Sequence, residues 1–152
     1  MKLLLTMTFI MSIFAIGVPA QGTAGGEQKS LFDRLGGRNG ISTIVDDVVL
    51  AHMNNPAIRE RFIPYKDKPE QLELIKKHTV DFFIAGSGGP ANYAGKDMTT
   101  THKGMNITPA EYMNVVDDIM LVLKNHKIDE ESRKDVLSIL WSLKGMIISK
   151  YD

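Results

Sequence analysis

The sequence predicts an all-α fold. Apolar residues recur at helical spacing in four long stretches, no stretch alternates apolar and polar over a strand's length, and the breaks are rich in glycine or proline. With 152 residues and 43% apolar content the chain suits one domain with a real core. The helices are too few, and the loops too glycine-rich, for a symmetrical bundle.

Residues 1–20 read as a secretory leader: Met1-Lys2 is the positive start, Leu3 to Val18 the apolar run, and Val18-Pro19-Ala20 the small-residue cleavage pattern. A retained membrane anchor is the alternative. Cleavage before Gln21 leaves a mature chain for the bacterial periplasm, with no membrane association. Residues 21–29, glycine-rich and without large apolar side chains, read as a flexible tether, and the folded domain is expected over 30–152.

Leu31, Phe32 and Leu35 predict a short helix stopped at Gly36-Gly37. Ile41, Ile44, Val45, Val48 and His52 share one face of a longer helix, with Asp46 and Asp47 opposite, and Asn54-Asn55-Pro56 ends it. A short turn over Arg59 to Phe62 leads to a loop from Ile63 to Pro69. The next helix spans about Glu70 to Ala85, carrying Leu72, Ile75, His78, Thr79, Phe82 and Phe83 on one face until Gly86-Ser87-Gly88-Gly89-Pro90 breaks it. Thr108-Pro109-Ala110-Glu111 is a capping box with proline at the first helical position, ahead of the stripe Tyr112, Val115, Val116, Ile119 and Leu123. Asp129 caps the last helix, whose core face is Val136, Ile139, Leu140, Leu143 and Ile147.

Removing Lys2 with the leader turns 18 basic and 18 acidic residues into 17 and 18, a net charge of −1. That balance provides no electrostatic footprint for nucleic acid. The chain has no cysteine, which excludes disulfides, thiolate metal sites, thiol nucleophiles and thioether-linked haem. Chemistry therefore falls to the four histidines. His126, in the polar run Lys124 to Lys127, reads as a solvated loop residue, and His52, near a helix C-terminus, as structural. His78 interrupts an apolar stripe and must find a partner there or a ligand. His102, with Met98 four residues before it and Gly95 and Gly104 on either side, has the short helical setting from which a neutral imidazole can bind haem iron. A structural histidine is the alternative on these grounds alone.

Leu31-Phe32-Asp33-Arg34-Leu35-Gly36-Gly37, Phe82-Phe83 followed by Gly88-Gly89-Pro90, and Tyr93-x-Gly95-x-x-Met98-x-x-x-His102-x-Gly104 together resemble the truncated haemoglobins, in their N-type or group I branch. The resemblance covers about Ser30 to Ile148. It implies a shortened globin, a two-over-two helical sandwich around non-covalent haem b. It places the proximal iron ligand on His102, the pocket phenylalanine on Phe62 and the paired aromatics on Phe82 and Phe83. Met98, Val115, Val49, Ile75 and Thr79 complete the expected cofactor-binding set, and His78 is the candidate distal iron ligand.

The distal side departs from the family's pattern. Where many members carry Phe-Tyr, with the tyrosine hydroxyl holding bound oxygen, this chain has Val48-Val49, and neither side chain can donate a hydrogen bond. A donor to a charged acceptor is worth about 1.5–3 kcal/mol, so its loss weakens oxygen retention roughly tenfold unless His78, Thr79 or Tyr65 substitutes. The function implied is binding or transport of O2, or binding of NO or CO, at haem iron. Nitric oxide dioxygenation, with an external reductant, is the enzymatic extension. The alternative is a bis-histidyl His78/His102 electron-transfer or redox-sensing protein, and a haem-free helical module is the third reading.

Overall fold

Ser30 opens the first helix: its hydroxyl accepts from the Asp33 amide at 3.2 Å, and α1, Leu31–Arg34, lasts a single turn. The computed structural model describes residues 29–148, so the expected leader and all but the last residue of the expected tether lie outside the described residues. Gly36, at φ 85°, then turns the chain into α2, Gly37–Asn54. A side chain there would be strained, and its Cβ would also sit 3.2 Å from the Gly40 Cα.

Two 3-10 turns, Arg59–Arg61 and Ile63–Tyr65, bridge to α3, Pro69–Gly86. The stretch expected to be all loop thus holds a helical turn, and proline opens α3, where a missing N–H costs nothing. The buried residues of α3 are Val80 and Ile84, not the expected stripe. That stripe is half-buried, with Ile75 exposed, because it faces a cavity instead of packed side chains.

After the one-turn α4, Met98–His102, the capping box forms as expected: the Thr108 hydroxyl accepts from the Glu111 amide at 3.1 Å, and the Glu111 carboxylate accepts from the Thr108 amide at 2.9 Å. The Thr108 amide, followed by its hydroxyl and then Arg61, holds the Glu111 carboxyl below its usual range. This box starts α5, Pro109–Asn125, and Asp129 caps α6, Glu130–Ile147. No strand occurs among the described residues, and no described helix is long and apolar enough to cross a membrane.

The α2–α3 pair lies over the α5–α6 pair, and α2 packs on both α3 and α5. Between the layers Ile41, Val45, Val116, Leu123, Val136 and Leu140 are buried, each contributing about 1.5–3 kcal/mol. Tyr112 and Ser132 find partners there, whereas Arg34 Nε and Arg133 Nε are buried without one among the described residues. Tyr112 donates its hydroxyl to the Leu140 carbonyl, and burial pushes its pKa up. Arg34 on α1 reaches the fully buried Ser132 hydroxyl at 3.0 Å and the Asp135 carboxylate at 2.5 Å on α6.

His126 is not the solvated residue its polar neighbours suggested. Lys127 turns at φ 59°, and His126 Nε2 lies 2.7 Å from Asp47 Oδ2 with 22% of its side chain exposed. The acidic face of α2 runs past the end of α5, a proximity created by packing alone.

Candidate cofactor cavity

An apolar cavity of about 490 Å³ is walled by α2, α3, α4, α5 and α6. Such a volume suits a cofactor-sized group. All ten residues expected to bind cofactor line it. Val49 enters from α2 and Phe62 from the following turns; Ile75, His78, Thr79, Phe82 and Phe83 enter from α3. Met98 and His102 enter from α4, and Val115 from α5.

His102 is aimed by its own helix. Asp97 caps α4, accepting from the Thr100 amide at 2.9 Å and hydroxyl at 2.6 Å, contacts that also hold its carboxyl below the usual range. Four residues after Met98, the His102 Nδ1 lies 2.8 Å from the Met98 carbonyl oxygen. A carbonyl can only accept, so Nδ1 carries the proton and Nε2 keeps its lone pair. This is the arrangement that fixes a ligating histidine's tautomer and raises its basicity.

Gly95 is required beside it. A Cβ there would fall 2.3 Å from the Tyr93 ring, which crosses the backbone so that its hydroxyl donates to the Lys96 carbonyl at 2.8 Å. The Tyr93 ring in turn meets Phe82 at 5.3 Å and His78 at 6.3 Å, edge to face in both cases.

Of the distal donors expected from sequence, Thr79 and Tyr65 do not offer a hydroxyl hydrogen to the cavity. Thr79 donates its hydroxyl to the Ile75 carbonyl at 2.9 Å, so only its lone pairs face the cavity, and Tyr65 does not line it. The helical geometry explains the first: a threonine hydroxyl inside a helix bonds back to residue i−4. Val48 and Val49 line the wall without polar atoms.

One lining residue was read from sequence as merely structural. His52 is 5% exposed, its Nδ1 lies 2.9 Å from Asp118 Oδ2, and its ring stacks on Phe62 at 4.8 Å. Burial is the main force lowering its pKa, opposed by Asp118. Its place at i+4 from Val48 was legible; its carboxylate partner on α5 was not.

An apolar chamber between two helix pairs, with aromatic and aliphatic walls and an imidazole held in one tautomer among them, has the make-up of a haem pocket of the globin class. The chain belongs to the bacterial-like globin family, whose profile matches residues 30–149. It is 26% identical over 120 residues to a group 1 truncated hemoglobin of Tetrahymena pyriformis, covering 72% of this chain and 95% of that one. The fold matches the Fe(III) form of the Tetrahymena pyriformis truncated hemoglobin with a TM-score of 0.70 at 22% identity, over 80% of this chain and all of the other. A group II truncated hemoglobin from Bacillus anthracis superimposes equally well, at 0.70 and 18% identity, over 84% of this chain and 96% of that one. Members of this family carry haem and bind diatomic gases such as O2 at its iron.

Proposed function

We propose that this chain is a group I haem b protein that binds oxygen or another diatomic gas, with His102 as the proximal iron ligand. The observation that carries the reading is the Nδ1–carbonyl bond from His102 to Met98, which leaves Nε2 as the ligating nitrogen. Haem iron supplies the gas-binding coordination position. This chain's residues would hold and shield it: His102 would bind the iron, Phe62, Phe82 and Phe83 would keep water out, and Val48 and Val49 offer no hydrogen-bond donor. Nitric oxide oxidation is the enzymatic extension, NO + O2 + e⁻ giving nitrate, with the electron from an external reductant.

Reconstitution with iron protoporphyrin IX tests the reading. The wild-type protein acquires a Soret band and a ferrous CO complex. His102→Ala loses both while keeping its helical circular dichroism, and an unchanged CO complex in that variant removes His102 as ligand. The leader reading adds a periplasmic location for the mature chain, and a periplasmic extract whose protein begins elsewhere than Gln21 contradicts it.

The bis-histidyl alternative is favoured by one observation. His78 lines the same cavity, and among the described residues neither of its ring nitrogens has a hydrogen-bond partner. A second imidazole on iron excludes gas and suits electron exchange.

A further inference from the structure

The cavity contains a polar group that binding of a diatomic gas does not use. His52 is nine-tenths buried at the cavity wall, one helical turn beyond Val48 and Val49. Because its Nδ1 donates to the Asp118 carboxylate, Nε2 carries the lone pair, and among the described residues Nε2 has no hydrogen-bond partner. The carboxylate is itself held: the Asn55 amide donates to both Asp118 oxygens, at 3.0 and 3.1 Å, and Asn55 Oδ1 accepts from the Ala57 amide at 3.0 Å. Phe62 packs against the imidazole on its other side. This is a braced carboxylate–imidazole pair at the wall of an apolar chamber.

O2, NO and CO bring no proton to that nitrogen. A small molecule with an acidic hydrogen does. We propose that His52 and Asp118 form a proton-accepting dyad for small weak acids, of the hydrogen peroxide or hydrogen sulfide kind, which enter the cavity neutral and bind haem iron as anions. The proposal rests on the haem reading above. In the step, the H–X bond breaks heterolytically, its electron pair stays on X, and the proton forms an N–H bond at His52 Nε2. The resulting imidazolium is stabilised by Asp118, which remains ionised, and no oxidant or reductant takes part.

The groups facing His52 allow this role. From α5 the charged neighbour is Asp118, and from the turns after α2 Phe62 presents a ring. Arg61 is turned away to Glu111 and the Met105 carbonyl, and on α3 the titratable residue in the same cavity is His78. Burial favours neutral His52, the form that accepts a proton.

The probe is cyanide, added to the ferric holoprotein between pH 6 and 8, where the acid stays almost wholly protonated. All proteins carry His78→Leu, so displacement of that residue does not set the rate. With the dyad intact the association rate is nearly flat with pH, because HCN itself is the reactant. Without it the rate depends on preformed cyanide ion, which increases about tenfold per pH unit. His52→Leu is therefore expected to be at least about tenfold slower at pH 6 and to rise steeply, while CO association to the ferrous form changes less than about threefold. A flat profile in His52→Leu, or equal slowing of cyanide and CO, overturns the dyad. Should His52→Leu not fold, Asp118→Asn keeps the imidazole and the packing; an unaltered cyanide rate in it at pH 6 overturns the proposal equally. Absence of any ferrous CO complex in the parent protein is the separate failure, and removes the haem reading with the dyad.

Discussion

The His78 imidazole meets the Tyr93 ring edge to face, centroids 6.3 Å apart and planes 83° apart. Tyr93 is fixed by its own bond to the Lys96 carbonyl, so it forms a rigid rail against which His78 can turn. A ring without hydrogen bonds gives up little when it rotates toward iron.

The ligand-free ferrous spectrum reports whether it does. With His78 on iron, split sharp visible bands appear and His78→Leu collapses them to one broad band. A broad band already present in the parent protein, unchanged by the substitution, assigns His78 to the wall only.

If the chain binds oxygen as proposed, the missing donor is expected to limit its retention. The Thr79 and Tyr93 hydroxyls are both committed to backbone carbonyls, and Val49 lines the cavity half-buried. Val49→Tyr adds a hydroxyl to a chamber with room for it, and a donor to a charged acceptor contributes about 1.5–3 kcal/mol. The oxygen dissociation rate is expected to fall about tenfold or more, measured by stopped-flow displacement with CO. An unchanged rate would show that the donor deficit is not what governs retention.

Acid weakens the fold through His52. Burial depresses its folded pKa below the ordinary value of 6.5, so the unfolded chain takes up a proton first as pH falls. Its contribution is whole above that value and is lost on going from about pH 6.5 toward the folded pKa, with a slope of at most about 1.4 kcal/mol per pH unit. Urea midpoints of the haem-free protein between pH 7 and 5.5 measure the slope. His52→Leu is expected to flatten it, and a slope identical to wild type would place the effect elsewhere.

Arg61 braces the segment behind His102. Its guanidinium donates to the Glu111 carboxylate at 2.8 Å and to the Met105 carbonyl at 2.6 Å, tying the turn after α2 to the α4–α5 connection. Both partners of the ion pair are partly exposed, so solvent screening reduces its worth. Arg61→Met is expected to cost about 1–2 kcal/mol in urea unfolding and to speed haem loss. Stability falling with haem loss unaltered would confine Arg61 to the fold.

Local chemistry made the helices readable in the chain itself. Ser30, Thr108 and Asp129 satisfy the backbone amides at the starts of their helices whatever lies around them, and Gly36 turns where other residues are strained. The ten cavity residues were legible too, because helical periodicity puts His78, Thr79, Phe82 and Phe83 on one face and the glycine-flanked stretch presents His102.

Contacts between distant segments were not. The pairing of His52 with Asp118 spans 66 positions and that of His126 with Asp47 spans 79, and both partners look like ordinary solvated side chains in their own helices. The Thr79 bond to the Ile75 carbonyl, by contrast, is local and follows from helix geometry. What the sequence by itself determined is a run of helices with a haem-type histidine at a short turn, since caps and periodicity act within a few residues. Which imidazoles are braced and which are loose was decided by packing, since only the folded chain places α2, α3 and α5 around one chamber.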